Sequence, residues 1–431
     1  MISQIIFALL LAVAGFFIFK RYQFVKGNIH LGQKGPETDR KGERFKTMMR
    51  VAFGQGKMFS RPFVAILHLI LYSGFVIINL ELIEIIVDGL TGEHRSFIGF
   101  RGYYRLLINL FEVLAGLVII ACVVFLIRRN FGKIKRFQSP EIKEWPRRDA
   151  NIILITEILL MKAFLIMNAA DSILTVRSAT PARVPSFWVS QISQPFLKPL
   201  STGALEGLSH FCWWFHIVGI LGFIVYLSYS KHLHILLAFP TTYFSKLKSP
   251  GNLSNDKAVT NEVKLMLDPN AVVEPVEFTR FGVKDVADMQ RTQLLSAYSC
   301  TECGRCTSVC PANQTGKLLS PRKVMMDVRD RMEEIGNAKA ANKGVWVDDG
   351  KSLIRDYISE EEVWACTTCN ACTDACPINI NPMEVLVDLR RYLIMEESKS
   401  PDSITSMFNN VENNGAPWAM SAMNRADWTN E

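Results

Sequence analysis

The chain has 431 residues, 49% of them apolar or aromatic and 21% charged, with a mean hydropathy of +0.15. That is too apolar for an average soluble protein and too charged for a pure membrane bundle, so one part in lipid and one in water is expected. Ten cysteines in so long a chain exclude a disulfide scaffold, and the composition excludes disorder and collagen-like repeats. The net charge of +7 divides unevenly: residues 1–230 carry 26 basic and 14 acidic side chains, and residues 231–431 carry 22 and 27. The basic half is also the hydrophobic half, which points to loops at an anionic membrane surface and away from nucleic acid.

Five apolar segments approach the roughly 20 residues a helix needs to cross a bilayer: 2–19, 62–87, 106–127, 151–170 and 207–239, the last projecting beyond the bilayer. The first has no basic residue ahead of it and Lys20-Arg21 behind it, the reverse of a secretory signal, and reads as a retained anchor. The loops Lys20 to Arg61 and Arg128 to Asp149 hold eleven and eight basic residues, against three each in Asp88 to Arg105 and Asp171 to Glu206. The positive-inside rule then places the N-terminus outside and everything beyond residue 240 in the cytoplasm of a bacterial-type inner membrane. The outer loop from Asp171 to Glu206, with Pro181, Pro185, Pro195, Pro199, Phe187, Trp188 and Phe196, is expected to lie along the interface as a partly apolar cover.

Within the second half, Cys300-x2-Cys303-x2-Cys306-x3-Cys310-Pro311 is followed by Cys366-x2-Cys369-x2-Cys372-x3-Cys376-Pro377. Both fit C-x2-C-x2-C-x3-C-P, the bacterial two-cluster ferredoxin run. Three cysteines at i, i+3 and i+6 reach three corners of one cubane, and the fourth points away to the other. Cys300, Cys303, Cys306 and Cys376 are thus expected on one [4Fe-4S] cluster, and Cys366, Cys369, Cys372 and Cys310 on the second. Structural zinc also takes four thiolates, but two runs of four closely spaced cysteines with a final proline favour clusters. Between the runs, Ser320 to Gly336 reads as an amphipathic helix with Ser320 as N-cap, Pro321 in the first turn and Gly336 at its end. Residues 241–290 read as a linker, 291–395 as a helical ferredoxin domain and 396–431 as a tail without periodicity. The fold class is mainly α, a five-helix transmembrane bundle (1–240) followed by a cytoplasmic α-helical ferredoxin domain.

Histidine inside an apolar helix normally signals function. His216 and His234 lie 18 residues apart, five whole turns of a continuous fifth helix, which would put both on one face about 27 Å apart, with His232 rotated away. His68 and His234 match in depth on the cytoplasmic side, as the axial pair of a b-type haem requires. A second haem would use His216, for which Ile78 and Asn79 stand at the partner position; His94 and His210 are the remaining candidates. Glu81, Glu84, Glu112, Glu157 and Lys162 lie in or beside apolar helices, some as candidates for a quinone pocket or proton path, with ion pairing the simpler account for Glu157 and Lys162. No dinucleotide fingerprint or P-loop is present, and no catalytic residue is assigned.

Residues 50–240 resemble the membrane cytochrome b of the nitrate reductase gamma-subunit type: the spacing of His216 and His234 is similar to that family's fifth-helix pair, and Arg61-x6-His68 to its second-helix approach. The outer second-helix histidine of that family is replaced here. Residues 281–395, from Phe281-Gly-Val-Lys through Ser296-Ala-Tyr-Ser-Cys300, resemble the ferredoxin part of heterodisulfide-reductase-like iron-sulfur oxidoreductases. Similar fused proteins include components of sulfite-reduction-associated complexes and menaquinone reductases served by electron-transfer flavoprotein. The resemblance implies a quinone-linked electron-transfer subunit with menaquinone as substrate and a partner chain, an iron-sulfur protein with Cys-Cys-Gly motifs or a flavoprotein, carrying the terminal chemistry. A membrane-bound redox sensor is the alternative reading, and an ion pump or channel subunit is disfavoured by the scatter of the charges.

Overall fold

The protein is described here from a computed structural model, which covers residues 1–431 apart from 36–38, 94, 101, 179–186, 250, 276–279 and 431. Among the described residues there is no strand; helices and turns make the molecule, with isolated bridges pairing Gln33 with Gln290 and Ile354 with Ile358. Five helices are long and apolar enough to cross a membrane: Ile2–Ile29, Pro62–Thr91, Gly102–Asn130, Trp145–Arg177 and Thr202–Leu227. The fourth and fifth form the central pair, the third packs on the fourth and the second on the third, and the first closes against the fifth. Without a hydrophobic force between helices in lipid, close approach depends on small residues. Ala115, Ala121, Ala169 and Ala170 are fully buried, and a Cβ on Gly219 would stand 2.5 Å from Leu160.

The first helix runs ten residues beyond the apolar stretch because its polar end is buried in protein instead of lipid. Val25 enters the core of the iron-sulfur domain. Arg21 donates to both carboxylate oxygens of Glu333 at 3.0 and 2.7 Å, and Asn28 donates to the Tyr298 hydroxyl at 2.8 Å. The second helix breaks between Ile78 and Glu81, where the Asn79 side chain donates to the Phe75 carbonyl and competes with the backbone ladder.

The fifth helix is not continuous to residue 239. It ends at Leu227, turns through Ser228, Tyr229 and Ser230, and a separate helix begins at His234 and runs to Tyr243. Ser230 caps the new turn by accepting from the His232 backbone N–H, and Lys231 is held by Glu302 of the iron-sulfur domain at 2.5 Å. His216 and His234 therefore do not share a helix face, and the five-turn spacing does not describe their separation.

In the iron-sulfur domain the helices Arg291–Tyr298, Pro321–Ala341 and Pro382–Met395 pack round the cysteine loops on Leu294, Val324, Val328, Met332, Leu386 and Leu389. Its core starts earlier than residue 291, since Val283, Val286 and Met289 belong to it, and a helix at Lys257–Leu267 interrupts the expected linker. The tail also holds an exposed helix, Asp402–Asn414. Ser320 caps the helix after the first run as expected, accepting from the Lys323 N–H, but that helix continues five residues past Gly336. Gly336 is instead where the first membrane helix crosses: a Cβ there would lie 2.2 Å from Asn28 Oδ1.

That contact yields a test. Gly336→Val is expected to push the end of the first helix off the domain and to cost about 1–3 kcal/mol, the range for overpacking, read as a lower melting temperature with unchanged helix content.

Candidate redox site

Both cysteine runs follow a short helix and bend the same way. Glu302 (φ 56°) and Gly304 (φ 68°) in the first loop match Thr368 (φ 55°) and Asn370 (φ 59°) in the second, each left-handed. Gly304 is also crowded, as a Cβ there would meet Arg322 Nη1 at 2.4 Å. The bends aim backbone N–H groups at sulfur: Thr368 donates to Cys366 Sγ at 3.4 Å and Ile380 to Cys376 Sγ at 3.3 Å.

One small cavity is lined by Cys300, Cys303, Cys306 and Cys376, three from the first run and the last from the second. Cys310 stands instead within electrostatic reach of Cys366 and Cys372. Burial pushes the Cys300 thiol up to about 12 and those of Cys376 and Cys372 up to about 11, so these sulfurs become thiolates only beside a strong positive charge. Among the described residues no three His, Cys, Asp or Glu side chains are placed to hold a single metal ion. A cubane differs in kind, since its four sulfur ligands stand apart on its corners. Cys369 is exposed, whereas the loop of the first run faces the membrane bundle.

A second cavity, about 380 Å³, extends into the bundle. His68, His216, His232 and His234 all line it, and so do Cys303 and Arg305 of the first cysteine loop. Three of the imidazoles have Nδ1 committed to a carbonyl oxygen: His68 to Gln55 Oε1 at 3.1 Å, His216 to the Leu160 carbonyl at 2.9 Å and His234 to the Lys231 carbonyl at 3.0 Å. An Nδ1–H donated in this way leaves Nε2 as the free acceptor, a tautomer and ring orientation suited to holding a metal. His232 stacks edge-on to His234 at 5.5 Å and its buried Nδ1 has no partner among the described residues. Sequence spacing ranks His232 below His234 by helix rotation; with the helix broken, only the hydrogen bonding separates them. His210 is exposed and outside the cavity, and His94 lies outside the described residues. Ile78 and Asn79 line the cavity where a further histidine would be needed.

Toward the iron-sulfur end the cavity is walled by Arg128, Arg129 and Arg136, a feature the sequence showed only as loop charge. Burial, with Arg61 nearby, pushes Arg136 down to about 10. Arg129 Nε and Arg136 Nε and Nη1 are buried donors without acceptors among the described residues, which suits an anionic ligand edge. Of the acids singled out, Glu81 and Glu157 line the cavity. Glu157 makes no ion pair with Lys162 among the described residues, because Lys162 is exposed on the bundle's outer surface. Glu84 and Glu112 are buried in a polar network at the far end. There residues 187–196 fold in as a cover: Phe187 is buried, the Val189 N–H donates to Glu112 at 2.8 Å, and Trp188 and Phe196 stay exposed. Pro181 and Pro185 lie outside the described residues.

Between the two cavities, Glu302 is clamped by Lys231 at 2.5 Å and Arg329 at 2.7 Å. Burial alone would raise its carboxyl, but Lys231 and Arg329 outweigh burial and hold it below its ordinary value. Stability from this clamp is complete above the ordinary carboxylate range and is lost as pH falls through the depressed value. Lys231→Met leaves Glu302 paired with Arg329 alone and is expected to cost about 2 kcal/mol at pH 7, the scale for losing a hydrogen bond to a charged group, measured by thermal unfolding.

Residues 296–380 match the family described as the 4Fe-4S dicluster domain. The fold and this match define a membrane-spanning iron-sulfur protein related to iron-sulfur oxidoreductases. Over 94% of its length the chain is 29% identical to the probable iron-sulfur-binding oxidoreductase FadF of Bacillus subtilis, covering 57% of that protein. Over the same share it is 26% identical to the EtfAB:quinone oxidoreductase of Syntrophomonas wolfei, covering 56% of it. A quarter of the chain is 28% identical to one polypeptide of the ferredoxin:CoB-CoM heterodisulfide reductase of Methanosarcina mazei, covering 53% of that polypeptide. The chain thus spans about half the length of these curated relatives. No solved structure matches.

Proposed function

We propose that the chain is a membrane-anchored electron-transfer subunit that passes electrons between a quinone in the bilayer, a b-type haem, two [4Fe-4S] clusters and a cytoplasmic redox partner. The observation that carries this reading is the position of Cys303, which lines both the four-cysteine cavity and the histidine-lined membrane cavity. Electron transfer needs closely spaced carriers, and this wall is shared. When bound, the haem and clusters supply one-electron chemistry. The protein's part is to hold, orient and insulate. Cys300, Cys303, Cys306 and Cys376 hold the inner cluster, and Cys366, Cys369, Cys372 and Cys310 the outer. His68 and His234, their Nδ1 atoms fixed by Gln55 and the Lys231 carbonyl, would hold a haem through Nε2, and Arg128, Arg129 and Arg136 would meet its carboxylates. His216, in the deeper part of the cavity, is the ligand available to a second haem.

The exposed edge at Cys369 then becomes the docking point for the partner, an iron-sulfur protein of the Cys-Cys-Gly type or a flavoprotein. The basic loops 20–61 and 128–149 put this face in the cytoplasm, with the N-terminus outside. The name of the EtfAB:quinone oxidoreductase supports a quinone and an EtfAB-type partner; menaquinone is the quinone that the sequence resemblance implies.

Three outcomes test this. Purified protein should contain about eight non-haem irons and show a reduced b-type alpha band. His68→Ala should abolish that band while leaving both clusters detectable by electron paramagnetic resonance; a full haem complement would contradict the ligation. Cys310→Ser should damage the cluster of Cys366, Cys369 and Cys372, and damage confined to the other would overturn the crossed assignment.

A further inference from the structure

The far end of the membrane cavity, opposite the iron-sulfur domain, presents a buried carboxyl with an unsatisfied oxygen. Glu81 begins the second segment of the second membrane helix, is only 6% exposed and lines the cavity, and its Oε2 has no hydrogen-bond partner among the described residues. Its acidic neighbours are satisfied. Glu84 accepts from the Phe97 N–H at 2.9 Å and from the Tyr104 hydroxyl at 3.1 Å. Asp88 accepts from the N–H groups of Arg95 and Ser96 at 2.8 and 2.9 Å. Glu112 accepts from the Val189 N–H at 2.8 Å and from Asn168 at 3.1 Å. Arg95 donates to the Tyr104 hydroxyl at 3.3 Å, to Asn168 at 2.7 Å and to Asp171 at 2.9 Å, and Asp171 also accepts from Ser209 at 2.6 Å. A carboxyl oxygen left bare in lipid-depth surroundings is costly unless a ligand or a proton uses it.

We propose that Glu81 is the proton-exchange group of a quinone site at this end of the cavity, and that its protons enter and leave by way of the Glu84 carboxyl and the Tyr104 hydroxyl, which Arg95 holds in place, on the membrane face opposite the iron-sulfur domain. The inference rests on the quinone reading above. Oxidation of a hydroquinone breaks two O–H bonds and yields quinone, two protons and two electrons; reduction is the reverse. The electrons leave one at a time toward the clusters, and the two protons pass one after the other to the Glu81 carboxylate. Glu81 faces Glu84, Asp88, Arg95, Tyr104 and Glu112 from the helices and loop packed round it, with Glu157 and His216 across the cavity. A proton received there therefore has charged and hydroxyl groups on the outward side. Toward the clusters the nearest wall is apolar, with Leu71, Phe75, Val118 and Phe223, and Glu157 and His216 are the titratable groups before the histidines and arginines of the iron-sulfur end. Protons and electrons part company at Glu81, and turnover moves charge across the membrane.

The test uses the holo-chain in vesicles with a long-chain menaquinol in the bilayer, a pH dye trapped inside and ferricyanide added outside. Ferricyanide does not cross the bilayer, so only molecules with the iron-sulfur domain outward turn over, and protein-free vesicles give the background. The lumen should acidify at the rate of ferricyanide reduction. Glu81→Gln should slow menaquinol oxidation at least tenfold while dithionite still reduces all haem and clusters. If the wild-type chain does not oxidise menaquinol, the quinone reading itself falls and takes this inference with it. Wild-type oxidation with protons appearing only outside, or an unimpaired Glu81→Gln, overturns the inference and leaves the quinone reading standing.

Discussion

The contact between Lys231 and Glu302 joins two environments that have opposite demands. Glu302 sits between Cys300 and Cys303 in a left-handed conformation, and Lys231 sits in the turn that ends the last membrane helix. Both side chains are at least nine-tenths buried, so neither charge has water as an alternative partner. A buried pair of this kind is a poor source of net stability but is specific, because displacing either member leaves a buried charge with a single remaining partner, Arg329 for Glu302 and Asp149 for Lys231. Here it fixes the register of the first cysteine loop on the end of the membrane cavity. The broken fifth helix, the placement of His232 and His234 and the shared wall at Cys303 all follow from that register.

Other contacts make the same junction stiff. The first membrane helix reaches the iron-sulfur core through Arg21, Val25 and Asn28, and Arg322, fully buried beneath Gly304, donates to the Arg136 carbonyl at 2.7 Å and to Glu141 at 2.6 Å. Arg61 donates to Ser308 at 2.9 Å and Lys57 to the Thr373 carbonyl at 3.2 Å. Arg21, Lys57 and Arg61, loop cations that the sequence assigns to an anionic membrane surface, are thus spent on the cysteine domain. They also surround the site of an anionic cluster with positive charge, which favours its reduced state.

How much of this was legible depended on whether the information was local. The cysteine spacing is local, a property of a few residues; in the fold Cys376 lines one cavity with Cys300, Cys303 and Cys306, and Cys310 lies within electrostatic reach of Cys366 and Cys372. The five spans could be read from hydropathy, but their ends could not, since Arg21 to Asn28 are polar residues buried in protein and hydropathy cannot distinguish that from exposure. The break after Leu227 has no glycine or proline to announce it; the serines there become a turn because Lys231 is pulled to Glu302. Gly336 looks like a helix stop and is a crossing point, a distinction only the approach of Asn28 reveals. The spacing of His216 and His234 assumes a continuous helix that the fold does not have, and His68 and His234 line one cavity for reasons the spacing does not contain.

The proposed conduit is ordered: the histidine-lined cavity adjoins the cavity of Cys300, Cys303, Cys306 and Cys376, with the second cysteine group beyond. Pulsed electron paramagnetic resonance on the purified chain measures this directly through the relaxation of the low-spin haem signal. The conduit predicts that reducing the inner cluster accelerates haem relaxation strongly, and that Cys372→Ser, which removes the outer cluster, leaves most of that enhancement in place. Haem relaxation that is indifferent to the inner cluster, or that follows the outer one, would contradict it.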